Sequence, residues 1–193
     1  LQGVTITAVA TDIVGNATAD CGVNVFALIT PAAHDFDSIG TSDIAWRQNG
    51  TGVVAVWLMT SGTVAQSAAL GSVPNNWSIV GQRDFNGDGK DDLLWRDTTS
   101  GTVAIWFLDG PTVKSTAVVG SVPNNWSIVG CHDFNGDGKA DLLWRDTSGN
   151  VAIWLMDGGQ VVRHTLLGQV PTDWSVAAVA DFNCDGQRDI LWR

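Results

Sequence analysis

The chain has 193 residues, 45% of them hydrophobic, with 22 Gly and only 16% charged, a profile that fits a globular, turn-rich protein and excludes a disordered one. A formal charge of −10 excludes a surface built to neutralise nucleic-acid phosphates. All 20 acidic residues are Asp, with neither Glu nor Tyr present, and Asp favours turns and oxygen-ligand loops where Glu favours helix.

The first 30 residues contain "VTITAVATDIVGNATADCGVNVFAL", which is β-patterned and is similar to the closing strands of a bacterial immunoglobulin-like or hyalin-type domain. On that reading residues 1–30 end a preceding domain and a linker begins near Thr30-Pro31. On the other, they are strands that complete the last blade of the repeat described next. The start at Leu1 leads us to expect a processed or excised fragment. No apolar run approaches the ~18 residues of a membrane span.

From residue 31 to residue 193 the chain is repetitive. Units start near Asp35, Asp84, Asp133 and Asp181, in steps of 49, 49 and 48 residues. Trp46, Trp95, Trp144 and Trp192 fall in register, each followed by Arg, in "SDIAWR", "DDLLWR", "ADLLWR" and "RDILWR". Trp57, Trp106 and Trp154 align in "VAVWLM", "VAIWFL" and "VAIWLM", and Trp77, Trp126 and Trp174 align in "PNNWSIV" and its variant "PTDWSVA". Within one unit "WSIVGQRDF", "DLLWRD", "TVAIWFLDG" and "TVKSTAVVG" read as four short strands parted by turn residues, without helical periodicity. The third strand is apolar at nearly every position, as expected when both sheet faces are covered. Its fixed Ala (Ala55, Ala104, Ala152) predicts a small–large fit between stacked sheets. Four strands per unit, repeated radially, predict an all-β propeller with three full blades and a partial fourth.

The units resemble FG-GAP/VCBS repeats, the calcium-loop blades of integrin-α-like propellers. The resemblance rests on three near-identical "DFN-x-DG-x-x-D-[LI]-L-W-R" strings and one degenerate copy. It implies aspartate loops between strands A and B on one face. The B–C and D–A connections then share the other.

Calcium takes six to eight oxygens. Positions 1, 3, 5, 7 and 9 of the second loop are Asp84, Asn86, Asp88, Lys90 and Asp92, with Lys90 acting through its backbone carbonyl. The third loop offers Asp133, Asn135, Asp137, Lys139 and Asp141, and the fourth Asp181, Asn183, Asp185, Gln187 and Asp189. In the first loop, "DFDSIGTSD", Ile39 replaces the position-5 carboxylate, so this copy is expected to be degenerate. About three Ca²⁺ ions are therefore expected. A helical EF-hand is excluded, because position 12 holds Trp95, Trp144 or Trp192 in place of its bidentate Glu.

Neither a nucleophile elbow, nor a zinc-binding His pair, nor a phosphate-binding glycine loop occurs, so no catalytic residues are assigned and hydrolase activity ranks as a distant alternative. His34 and His132 precede loop Asp residues and read as strand-end positions. Cys21, Cys131 and Cys184 permit at most one internal bridge, and a Cys131–Cys184 pair between neighbouring blades is disfavoured. For ligand binding the candidates are Asn76, Trp77, Arg96 and Asp97, with Asn125, Trp126, Arg145 and Asp146 one unit on. An indole face beside hydrogen-bonding groups suits a sugar. The expected function is a secreted or surface, bacterial recognition or adhesion module for a glycan or an extracellular protein. The alternative is a structural or assembly module of a larger protein, with either an oligomer or further blades closing the ring.

Overall fold

The computed structural model describes residues 33–193. The expectations for residues 1–30, including the role of Cys21, lie outside them.

Thirteen antiparallel strands form four separate sheets in chain order. The first sheet contains β1 (Ile44–Arg47), β2 (Val53–Thr60) and β3 (Thr63–Ser72). The second contains β4 (Trp77–Arg83), β5 (Asp92–Asp97), β6 (Thr102–Asp109) and β7 (Thr112–Ser121). The third repeats this with β8 (Trp126–His132), β9 (Asp141–Asp146), β10 (Asn150–Asp157) and β11 (Gln160–Gln169). The last has β12 (Val176–Ala180) and β13 (Asp189–Trp192). The second and third sheets are the expected four-stranded blades, each a simple meander; among the described residues the first unit has three strands and the fourth two.

Register explains the invariant residues. Trp95 lies directly opposite Ala104, as Trp46 does Ala55 and Trp144 does Ala152. The small Ala leaves room for the Trp95 ring to lie 5.1 Å from Trp106, and Trp144 packs 5.0 Å from Trp154 in the same way. The small–large fit therefore operates across two strands of one blade as well as between blades. The third strand carries register shifts at the same two places in every complete unit, Val103/Ala104 and Phe107/Leu108 in the second. Bulges of this kind increase local twist.

The core lies in the seams. Phe36, Val54, Val56 and Leu58 of the first blade pack on Leu93, Trp95 and Leu108 of the second. Phe85, Leu94, Val103 and Ile105 pack in turn on Leu142, Trp144 and Met156 of the third. Apolar residues at both alternations of β5 are thus buried, one set against each neighbour. Gly81 is required in the second seam, since a Cβ there would come 2.6 Å from the Cys131 sulfur. Cys131 is a buried free thiol, so the disfavoured bridge to Cys184 is absent. Burial pushes its pKa up to about 12.

Candidate metal centre and the opposite loop face

The second, third and fourth aspartate loops join the first strand of a blade to the second, and the first loop leads into β1. In the second loop, Asp84 turns inward: Oδ1 accepts from the amides of Asn86 (3.1 Å) and Gly87 (2.6 Å), and Oδ2 from Gly89 (2.8 Å). Asn86 Oδ1 accepts from the Asp88 amide and Asp88 Oδ1 from the Lys90 amide, both at 2.9 Å. These Asx-type bonds curl the loop. The third and fourth loops repeat the pattern through Asp133, Asn135 and Asp137, and through Asp181, Asn183 and Asp185. The Lys90 ammonium leaves the loop to pair with Asp109, and Lys139 pairs with Asp157 at 2.5 Å. Only the backbone carbonyl of position 7 is left for an ion.

Position 9 has a structural task that its recurrence did not reveal. Asp92 is fully buried, with Oδ2 accepting from the Phe85 amide (2.9 Å) and Oδ1 from the Leu108 amide (3.0 Å) on the third strand. Asp43 and Asp141 make the same pair of bonds, to Phe36 and Met59 and to Phe134 and Met156. One carboxylate thus clamps the loop to the far end of its own blade. Burial raises the pKa of Asp92 to about 7 and of Asp141 to about 6, against the opposing effect of those amides.

The first loop differs from the other three. Asp37 supplies a carboxylate at position 3, where the other loops have Asn, and oxygens of Asp35, Asp37 and Asp43 lie within 4.8 Å of one another. Asp35 Oδ1 is buried with no hydrogen-bond partner. Loss of the position-5 carboxylate is therefore offset by one at position 3. An all-oxygen, carboxylate-rich set of this kind fits a hard divalent cation. The loops also lock neighbouring blades: the carbonyls of Asp35 and Phe36 accept from Asp91 and Gly110 of the next blade, each at 2.8 Å. Asp84 and Phe85 do the same for Ala140 (2.8 Å) and Gly158 (3.1 Å). His34 Nδ1 lies 3.8 Å from Asp91 across the first seam.

On the opposite side the B–C turns and D–A connections meet, as the family resemblance implies. Thr98 donates its amide to the Asn76 carbonyl (2.7 Å), and Thr147 to that of Asn125 (2.9 Å). The second strand's Arg binds the connection to the next blade. Arg96 donates to the carbonyls of Val122, Pro123 and Trp126 and lies 5.0 Å over the Trp144 ring. Arg145 donates to those of Val170, Pro171 and Trp174 and lies 5.2 Å over Trp192. Asp97 and Asp146 cap their own turns, accepting from the Thr99 amide (2.7 Å) and the Ser148 amide (2.9 Å). The Asp97 turn bonds hold its pKa down at about 2.

Of the eight ligand candidates, Arg96, Asp97, Arg145 and Asp146 hydrogen-bond to backbone groups, and the first two are buried. Asn76, Trp77, Asn125 and Trp126 remain at least partly open. Trp77 and Trp126 also pack against the seam cores, so they are structural on one side and accessible on the other.

The FG-GAP-like repeat family matches residues 84–144 and 133–192. The solved structures include a likeness in the Photorhabdus luminescens Tc holotoxin pore, with a TM-score of 0.60 and 17% identity. It covers 84% of this chain but spans only 8% of that one, and at this identity the likeness concerns the fold alone. None of the curated proteins compared matches the chain. The repeating loops, blade topology and family match agree: the chain belongs to the FG-GAP-like repeat family.

Proposed function

We propose that this is a calcium-stabilised propeller module that recognises a glycan or an extracellular protein through its B–C and D–A face, without catalysing a reaction. The observation that carries the reading is the division of labour between the two faces. The aspartate-loop face is consumed by bonds between blades, whereas the opposite face keeps partly open indoles, Trp77 and Trp126, beside Asn76 and Asn125. Bound calcium would supply positive charge at the loop centres. Asp84, Asn86, Asp88 and Asp92, with the Lys90 carbonyl, would hold it in the second unit. Asp133, Asn135, Asp137, Lys139 and Asp141 would do so in the third, and Asp181, Asn183, Asp185, Gln187 and Asp189 in the fourth. Asp35, Asp37 and Asp43 offer a further set. Three ions would bring the formal charge from −10 to −4. A secreted or surface location, where calcium is plentiful, suits such loops.

The second reading, a spacer or assembly module of a larger secreted protein, draws support from the likeness to part of a toxin pore assembly. Binding of the whole chain to glycan and extracellular-protein arrays separates the two. Recognition predicts a specific ligand whose signal falls at least tenfold on Trp77→Ala and Trp126→Ala; a folded, calcium-loaded sample that is silent on both arrays favours assembly.

A further inference from the structure

Two of the three seams between described blades open into a cleft on the B–C and D–A side. One, of about 290 Å³, is lined by Val73, Pro74, Trp77, Trp95, Trp106 and neighbours from the outer strand. The other, of about 270 Å³, is lined by Val122, Pro123, Trp126, Trp144, Ala152 and Trp154. They are the same site one repeat apart. The volumes sit at the lower edge of the roughly 300–1,000 Å³ usual for ligand pockets, enough for one ring but not a chain of them.

Two further observations select the ligand chemistry. Trp95 and Trp144 are only 1% exposed, yet the indole N–H of each lacks an acceptor. Buried donors without partners are rare, and an indole N–H can do nothing but donate. Second, each cleft has a guanidinium beside it from the preceding blade. Arg47 binds the Val73 and Pro74 carbonyls at the first, and Arg96 stacks over Trp144 at the second. Arg47 Nε and Arg96 Nη1 are buried without acceptors. Among the described residues neither Arg is paired with a carboxylate. Apolar walls, donor-only groups and uncompensated positive charge together call for a ring that carries a carboxylate. The hydroxyls of Ser72 and Thr116 in one cleft, and of Ser121 in the other, suit a ring that also bears hydroxyls.

We propose that each seam cleft binds one carboxylated pyranose, a uronic acid unit. Its C–H face lies on the indoles and its carboxylate is directed toward the Trp95 or Trp144 N–H and the adjacent guanidinium. This inference rests on the reading that the B–C and D–A face is a recognition surface.

The test is titration of the calcium-loaded chain with glucuronate, glucose and benzoate, followed by tryptophan fluorescence and calorimetry. Glucuronate is expected to bind at about two equivalent sites, at least tenfold more tightly than glucose or benzoate. Trp144→Phe, which keeps a ring and deletes the N–H, should weaken one site at least tenfold. Trp126→Leu, at the partly open edge of the same cleft, provides the same check should the core substitution unfold the chain. Equal affinity for glucose would overturn the role of charge, and tighter binding of benzoate would overturn the sugar. Glucuronate affinity unchanged in both variants would overturn the placement. A specific array ligand without any glucuronate response would sink the clefts and leave the recognition reading standing. Silence in both assays would remove both.

Discussion

Asp92 and Asp88 sit four residues apart in one loop but carry different loads. Asp92 accepts from two buried amides, one in its own loop and one on the third strand, whereas Asp88 is exposed and bonds only within its loop. Asp92→Ala leaves two buried donors unsatisfied, at about 1–3 kcal/mol each. It should lower stability by several kcal/mol even in EGTA, as read from chemical denaturation. Asp88→Ala should leave stability in EGTA nearly unchanged and reduce the gain produced by calcium. The raised pKa values of Asp92 and Asp141 add a pH dependence. A carboxyl whose folded pKa exceeds its unfolded value favours folding when protonated, so this contribution is lost as pH rises from about 4 through about 7. Without calcium, melting temperature should fall across that window; with calcium, the bound charge should offset the fall, so the calcium-induced gain grows with pH. A gain independent of pH between 5 and 8 would contradict this. The position-9 Asp was legible in the sequence as a recurring residue but not as a clamp. Its partners are backbone amides, one of them 16 residues away, and amides leave no mark in side-chain identity.

At the scale of elements, strand number, order and turn positions were readable from the repeat itself, because alternating β-branched runs end at Gly, Asn and Asp. What those turns touch was not readable. Gly101 has φ +72°, and a Cβ there would stand 2.0 Å from the Val122 carbonyl oxygen; Gly52 and Gly149 meet Val73 and Val170 in the same way. The turn must lie flush on the connection to the next blade. Gly101→Ala should therefore cost about 3 kcal/mol, whereas Ala at Gly138, with no atom within 4 Å, should cost about 1 kcal/mol for backbone strain alone. Equal losses for the two variants, compared by denaturant midpoint, would refute the packing argument. The Arg of "LLWR" was legible as a recurring residue, but its partners were not. Its three carbonyl acceptors come together only when successive blades are stacked.

For the whole molecule, the loops matter because they stand at the seams. The first two each offer two backbone carbonyls that accept from amides of the following blade, and Phe36 and Phe85 anchor these loops in the buried core. On the proposed function, an ion held in such a loop would stiffen the joint between two blades. The first loop lacks the position-5 carboxylate of the motif but carries one at position 3, and it gathers three carboxylates within 4.8 Å of one another. Differential scanning calorimetry of the full chain in excess calcium and in EGTA tests this account most directly. Each site held at about 100 times its dissociation constant adds about 2.7 kcal/mol, and a domain of this size gains about 2–4 °C per kcal/mol. With three or more loops loaded, calcium should raise the melting temperature on the order of 10 °C or more, in one cooperative transition. The same melting temperature in both buffers would contradict the claim that these loops are ion-pinned joints.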